Sequence, residues 1–117
     1  MGGAERREFV RLKTRLTAFF KNSETGKAWR VLTRDISATG LRYSSQDFME
    51  PGTTLEVKLK LPDRETTITC KAVVVWSEMA SGLAAANEPF MVETGVRFIE
   101  MVPATQTLLA QYVKLNT

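Results

Sequence analysis

The sequence predicts an all-β domain finished by one helix: a six-stranded antiparallel β-barrel packed by a C-terminal α-helix. Three observations carry this reading. Apolar and polar residues alternate in short runs separated by turn residues. The hydrophobic period changes once, after Pro103. The length, 117 residues, suits a single domain with one core. Closing the sheet removes the exposed strand edges that six strands would otherwise leave.

The elements follow in chain order, as one domain over 1–117. Residues 1–8 are polar and charged and are expected to form a mobile arm. The barrel is expected over 9–99 and the helix over 103–116. From Val10, the residues Leu12, Thr14, Leu16, Ala18 and Phe20 share one face, with Arg11, Lys13 and Arg15 on the other. Asn22 to Gly26 forms a turn, so the next strand, about Lys27 to Ile36, returns antiparallel with Trp29 and Val31 inward. Asp35 to Gly40 breaks it, and Leu41 to Ser44 starts a short third strand. After the Pro51-Gly52 turn, Leu55, Val57, Leu59 and Leu61 alternate with Glu56, Lys58 and Lys60.

Pro62-Asp63-Arg64 turns the chain into a fifth strand. Ile68, Cys70, Ala72, Val74 and Trp76 form one face there, although Val73 and Val75 spoil the alternation. Met79 to Pro89 reads as a loop, with a helical turn at Leu83 to Ala86. Phe90 to Phe98 resumes strand character. Pro103 suits the first turn of a helix, and Leu108, Leu109, Tyr112, Val113 and Leu115 form its apolar stripe.

Composition narrows the chemistry. The formal charge of +3 is uneven. Residues 1–34 hold nine Lys/Arg against three Glu, while residues 35–117 hold seven against ten carboxylates. Positive charge near the N-terminus attracts phosphate; its blander meaning is a solvated basic strand. A single cysteine excludes an internal disulfide and a zinc pattern, and suits a reducing cytoplasm. There is no histidine, so the commonest general base and metal ligand is missing, and Cys70 has no imidazole partner. No phosphate-binding Gly-rich loop and no nucleophile elbow occurs. The expectation is a cytoplasmic binding protein, not an enzyme, without a metal or a resident cofactor. No apolar run approaches the roughly 20 residues of a membrane span.

Two short motifs carry the functional signal. The first is Arg7-x-x-x-Arg11, directly preceded by Arg6. A guanidinium presents a planar fork of donors that matches phosphate oxygens or the O6/N7 edge of guanine. On an extended segment a spacing of four puts both on one side. The second is Asp35-x-Ser37-x-x-Gly40. A carboxylate accepts from the N1–H and N2–H₂ of guanine, a donor pair adenine lacks. Ser37 offers a hydroxyl or N–H to phosphate, and Gly40 permits positive φ or close backbone approach. Each has a plainer reading, a solvated basic terminus and a polar turn.

In this order and spacing, with the later Gly95-Val96-Arg97-Phe98, the motifs resemble the signature of the PilZ domain family, bacterial receptors for cyclic di-GMP. The resemblance runs from Arg6 to the terminal helix. It implies a six-stranded barrel with cyclic di-GMP on its outer surface, clamped by Arg7 and Arg11, read by Asp35, supported by Ser37 and approached closely at Gly40. In the family, an arginine at the position of Arg6 goes with an intercalated pair of ligands, which implies two molecules per chain. The resemblance further implies that ligand orders the arm against the barrel and signals through an unidentified protein partner. Trp76 and Arg97 are further candidates for ligand contact, as a base-stacking indole and an outward cation. Two other readings are a nucleotide-independent adaptor on the same fold and a small barrel binding single-stranded nucleic acid. The second lacks a run of outward aromatics.

Overall fold

A computed structural model describes residues 10–62, 66–79 and 91–117. Six strands are present: β1 (Thr17–Asn22), β2 (Ala28–Ile36), β3 (Gly40–Ser45), β4 (Thr54–Lys60), β5 (Thr67–Met79) and β6 (Val92–Glu100). They close into an antiparallel barrel in the order β1-β2-β3-β6-β5-β4, and a helix, α1 (Pro103–Leu115), follows. The predicted fold class therefore holds. The loop expected from Met79 to Pro89, with its helical turn, falls almost wholly outside the described residues.

Alternation builds the interior. Leu55, Val57 and Leu59 of β4 stand beside Ala72, Cys70 and Ile68 of β5 in the ladder, all turned into the core and buried. Phe20 sits near the centre, its ring 5.1 Å from Tyr43 and 5.8 Å from Trp29. Burial in this apolar interior pushes the Cys70 thiol up to about 11 and raises Tyr43 above its ordinary value. Cys70 is thus an unreactive packing residue, as its place in the alternation suggested.

The helix buries a narrower stripe than expected. Leu109 and Val113 enter the core, and Tyr112 packs at its edge. Leu108 and Leu115, seven residues apart, lie together about 100° or more round the helix from Leu109, off the face turned to the barrel, and are exposed. The strand expected from Val10 to Phe20 is also interrupted. The buried Thr33 hydroxyl accepts from the Leu16 N–H (2.8 Å) and donates to the Thr14 carbonyl (2.6 Å). A side chain thereby takes the place of a carbonyl in the ladder, and β1 begins only at Thr17. Upstream, residues 10–16 still run beside β2, tied at Leu12, whose N–H and carbonyl exchange bonds with Ile36.

Two irregularities decide what faces outward. Between Thr33 and Asp35 the β2–β3 register shifts, so Asp35 opposes Arg42 while Arg34 is extra. Between Val74 and Trp76 the β5–β6 register shifts, so Trp76 opposes Gly95 while Val75 is extra. One extra residue reverses which side of the sheet the next side chain occupies. Simple alternation puts Asp35 with inward Val31 and Thr33, and Trp76 with inward Val74. Both instead emerge on the outer wall.

Candidate functional site

The outer wall of β3, β5 and β6, with Arg11 and Thr39 beside it, carries a cleft of about 330 Å³. Its lining brings together Arg11, Gly40, Trp76 and Arg97, four residues singled out as site candidates in the sequence, with Gly95, which the sequence marked only as part of the last-strand motif, and Arg42, which it did not mark. Arg6 and Arg7 lie outside the described residues.

Asp35 forms the base of this arrangement. Its side chain is 3% exposed, and both oxygens are engaged. Oδ1 accepts from Nε and Nη2 of Arg11, each at 2.7 Å; Oδ2 meets Nη2 of Arg42 at 2.5 Å. The β2 irregularity is what aims the carboxylate here, directly across the ladder from Arg42. Arg42 also approaches Glu93 at 3.7 Å, and Glu93 meets Arg34 at 3.3 Å. Three guanidiniums and two carboxylates thus alternate in one chain of ion pairs. Arg11 and Arg42 stay partly exposed, so each keeps donors for a ligand while a buried anion fixes its position.

Ser37 and Gly40 shape the turn above Asp35. Ser37 is fully buried, and its hydroxyl accepts from the Thr39 N–H at 3.2 Å. Its own N–H donates to the Gly40 carbonyl at 2.8 Å. Those bonds spend Ser37 on the turn itself. Gly40 does not have the positive φ seen at Gly26 and Gly52. Close approach explains it instead: it opposes Arg97, and a Cβ there would run into the Val96 carbonyl oxygen.

Gly95 serves Trp76 in the same way. A Cβ at Gly95 would sit 2.5 Å from indole atoms, so the half-buried ring lies directly across the bare glycine backbone. One face of the indole is thereby supported and the ring is held flat on the wall beside Arg97. The signal for Gly95 was available as a glycine interrupting the β6 pattern. Arg42 was legible only as an outward residue of β3, since its value comes from Asp35 across the ladder.

Among the described residues no three His, Cys, Asp or Glu side chains gather to hold a metal ion. No described helix is long and apolar enough to cross a membrane.

A closed antiparallel barrel with an arginine–carboxylate cleft on its outer wall, capped by a helix, defines a class of small ligand-binding domain. The PilZ domain family model matches residues 5–115, and the chain belongs to that family. Solved structures share the fold. The PilZ domain of YcgR from Escherichia coli with c-di-GMP superposes with a TM-score of 0.75 at 12% identity, over 95% of this chain and 91% of that one. The K. pneumonia MrkH–c-di-GMP complex gives 0.76 at 15% identity, over 93% of this chain and 50% of that one. The Bacillus subtilis inhibitor of motility, MotI/DgrA, gives 0.71 at 24% identity, over 94% and 50%. The chain therefore spans about half the length of MotI/DgrA and MrkH. No curated protein matches the sequence.

Proposed function

We propose that this domain is a receptor for cyclic di-GMP, bound on the outer wall between the N-terminal segment and the Asp35–Gly40 turn. The observation that carries the reading is the convergence of Arg11, Arg42 and Arg97 around Gly40 and the Trp76 face, with buried Asp35 beneath. Family membership supports it, and so do YcgR and MrkH, whose structures hold c-di-GMP on this fold.

Each residue then has a role. Arg7 and Arg11 clamp phosphate and guanine, with Arg42 as a third donor. Phosphate oxygens draw Arg11 off Asp35, and the freed carboxylate accepts from N1–H and N2–H₂ of guanine. Ser37 supports phosphate through the turn it braces, and Gly40 lets the ligand and β6 come close. Trp76 offers its free face to a purine. Arg6 adds a cation that offsets the charge of a second, stacked ligand, giving two molecules per chain. Binding orders the arm against the barrel, and the composite surface engages a protein partner. No chemical step is assigned to the domain.

Calorimetric titration tests this. Cyclic di-GMP should bind at a ratio of two per chain, and cyclic di-AMP should not. Arg11→Ala should weaken binding by about one to two decades, the loss expected of a charge-assisted hydrogen bond. Wild-type affinity in Arg11→Ala, or equal affinity for both dinucleotides, overturns the site. A ratio of one, unchanged in Arg6→Leu, removes the stacked pair alone.

A further inference from the structure

The wall built by β4, β1 and the outer face of β2 carries charge of a different kind. Lys13, Arg15, Lys21, Arg30, Lys58 and Lys60 are all exposed, and none makes an ion pair or side-chain hydrogen bond among the described residues. Glu56 is the one carboxylate standing directly across the ladder from any of them. Two apolar side chains stand among these cations. Phe19 is 40% exposed and lies in register with Arg30 on one side and Lys58 on the other. Leu32, 53% exposed, is its diagonal neighbour across β1 and β2. Beside Leu32, a groove of about 570 Å³ runs between Arg15, Arg30 and Arg34 to Met91.

We infer that this wall is a docking surface for an acidic polypeptide segment that carries apolar side chains. An apolar centre ringed by solvated charge is the anatomy of a protein interface. Unpaired cations complement a partner's carboxylates and speed its approach. The geometry disfavours a lipid surface. Side chains on a strand stand roughly perpendicular to the sheet, and lysine and arginine outreach phenylalanine. Charged heads therefore meet any partner first, and only separate side chains reach between them to Phe19 and Leu32. A single-stranded nucleic acid wants successive aromatic platforms, and among the described residues this wall has Phe19 alone. The surface lies apart from the cleft, although Lys13 and Arg15 continue the outward row that Arg11 begins. The inference does not depend on which nucleotide, if any, the cleft accepts.

Fluorescence anisotropy on the full chain tests it. The probes are a labelled peptide alternating glutamate with leucine, one alternating glutamate with serine, one alternating glutamine with leucine, an oligothymidylate, and vesicles of phosphatidylcholine with phosphatidylserine. The Glu–Leu peptide should bind roughly tenfold tighter than either partner peptide, the gap set by burying apolar side chains and by pairing charge. Phe19→Ser should remove most of that margin. Arg30→Glu with Lys58→Glu should abolish binding, and cyclic di-GMP titration of the same proteins should be unchanged. Thermal melts check folding, and Arg30→Gln with Lys58→Gln gives the same reading if charge reversal unfolds the chain. Tighter binding to the oligothymidylate or the vesicles, equal binding of the Glu–Ser peptide, or insensitivity to Arg30 and Lys58 overturns the proposal. Loss of nucleotide binding in wild type would sink the receptor reading and leave this one standing on its peptides.

Discussion

The barrel presents two basic walls, and they handle positive charge in opposite ways. On the cleft wall Arg11 and Arg42 are tied to Asp35, at 3% exposure, and Arg34, paired with Glu93, marks the border between the two walls. On the wall of β1, β4 and outer β2 the cations are solvated and unpaired among the described residues. A tethered guanidinium is gathered at the site before any ligand arrives, so a small ligand meets cations already held there and exchanges one of their bonds for its own. A solvated lysine keeps its freedom and gives mainly long-range attraction. The first suits a compact dianion of fixed shape. The second suits a partner whose charges can shift to meet it.

That contrast can be broken most directly at Asp35. Asp35→Ala leaves Arg11 and Arg42 facing each other without their shared anion. Loss of one partner of a buried ion pair costs about 3–5 kcal/mol. Both arginines are partly exposed and can turn to water, which reduces the cost to roughly 2 kcal/mol. Chemical denaturation should show this loss, and cyclic di-GMP affinity should fall by at least about a decade. Unchanged stability and affinity would mean that the tether is idle and the two walls are equivalent. The comparison variants on the other wall, Arg30→Glu and Lys58→Glu, should move stability by no more than about 0.5 kcal/mol.

A smaller effect sharpens the same distinction at the glycine beneath the indole. Gly95→Ala pushes a methyl group into the Trp76 ring, and the half-buried ring can lift away. Stability should change by about 1 kcal/mol or less, whereas binding should lose up to the roughly 1–3 kcal/mol of a base–aromatic stack. A titration in which Gly95→Ala binds like wild type would remove Trp76 from the site.

The smallest expected effect at neutral pH concerns the core beneath both walls. The folded Cys70 thiol, at about 11, titrates above its ordinary 9.0 because burial disfavours the thiolate. Between those values the unfolded chain has released a proton that the folded chain keeps. Stability is therefore intact below about pH 9 and declines as pH rises toward 11, and raised Tyr43 acts in the same direction. Melting temperatures across this range should fall less steeply in Cys70→Ala than in wild type. Parallel curves would show that Cys70 does not contribute.

Residues whose roles follow from local pattern were legible in the sequence. Leu55, Val57 and Leu59 alternate, so β4 was read with its faces correct. Pro103 announced the helix, and Arg11 and Asp35 stood out through spacing. Trp76 and Arg97 were candidates for the outer wall on weaker grounds. The turn chemistry of Ser37 was visible too, as the plainer reading of that hexapeptide. For Arg6 and Arg7 the fold adds nothing to what the motif says, since they lie outside the described residues.

By itself, then, the sequence determined a closed barrel with a terminal helix, because period-two burial and one change of period leave few other ways to cover the apolar faces. Only the tertiary structure decided which residues face the cleft. The register shifts at Arg34 and Val75 reverse the alternation without changing composition, and they carry Asp35 and Trp76 outward. Arg42 joins the site because a strand distant from the N-terminal arm brings it against Asp35. Before Thr17 the Thr33 hydroxyl, not its carbonyl, takes the Leu16 N–H, while the Thr33 N–H still donates to the Leu16 carbonyl. Gly40 and Gly95 matter through what crosses them, the β6 backbone and an indole, and contacts across a barrel leave no trace in local sequence pattern.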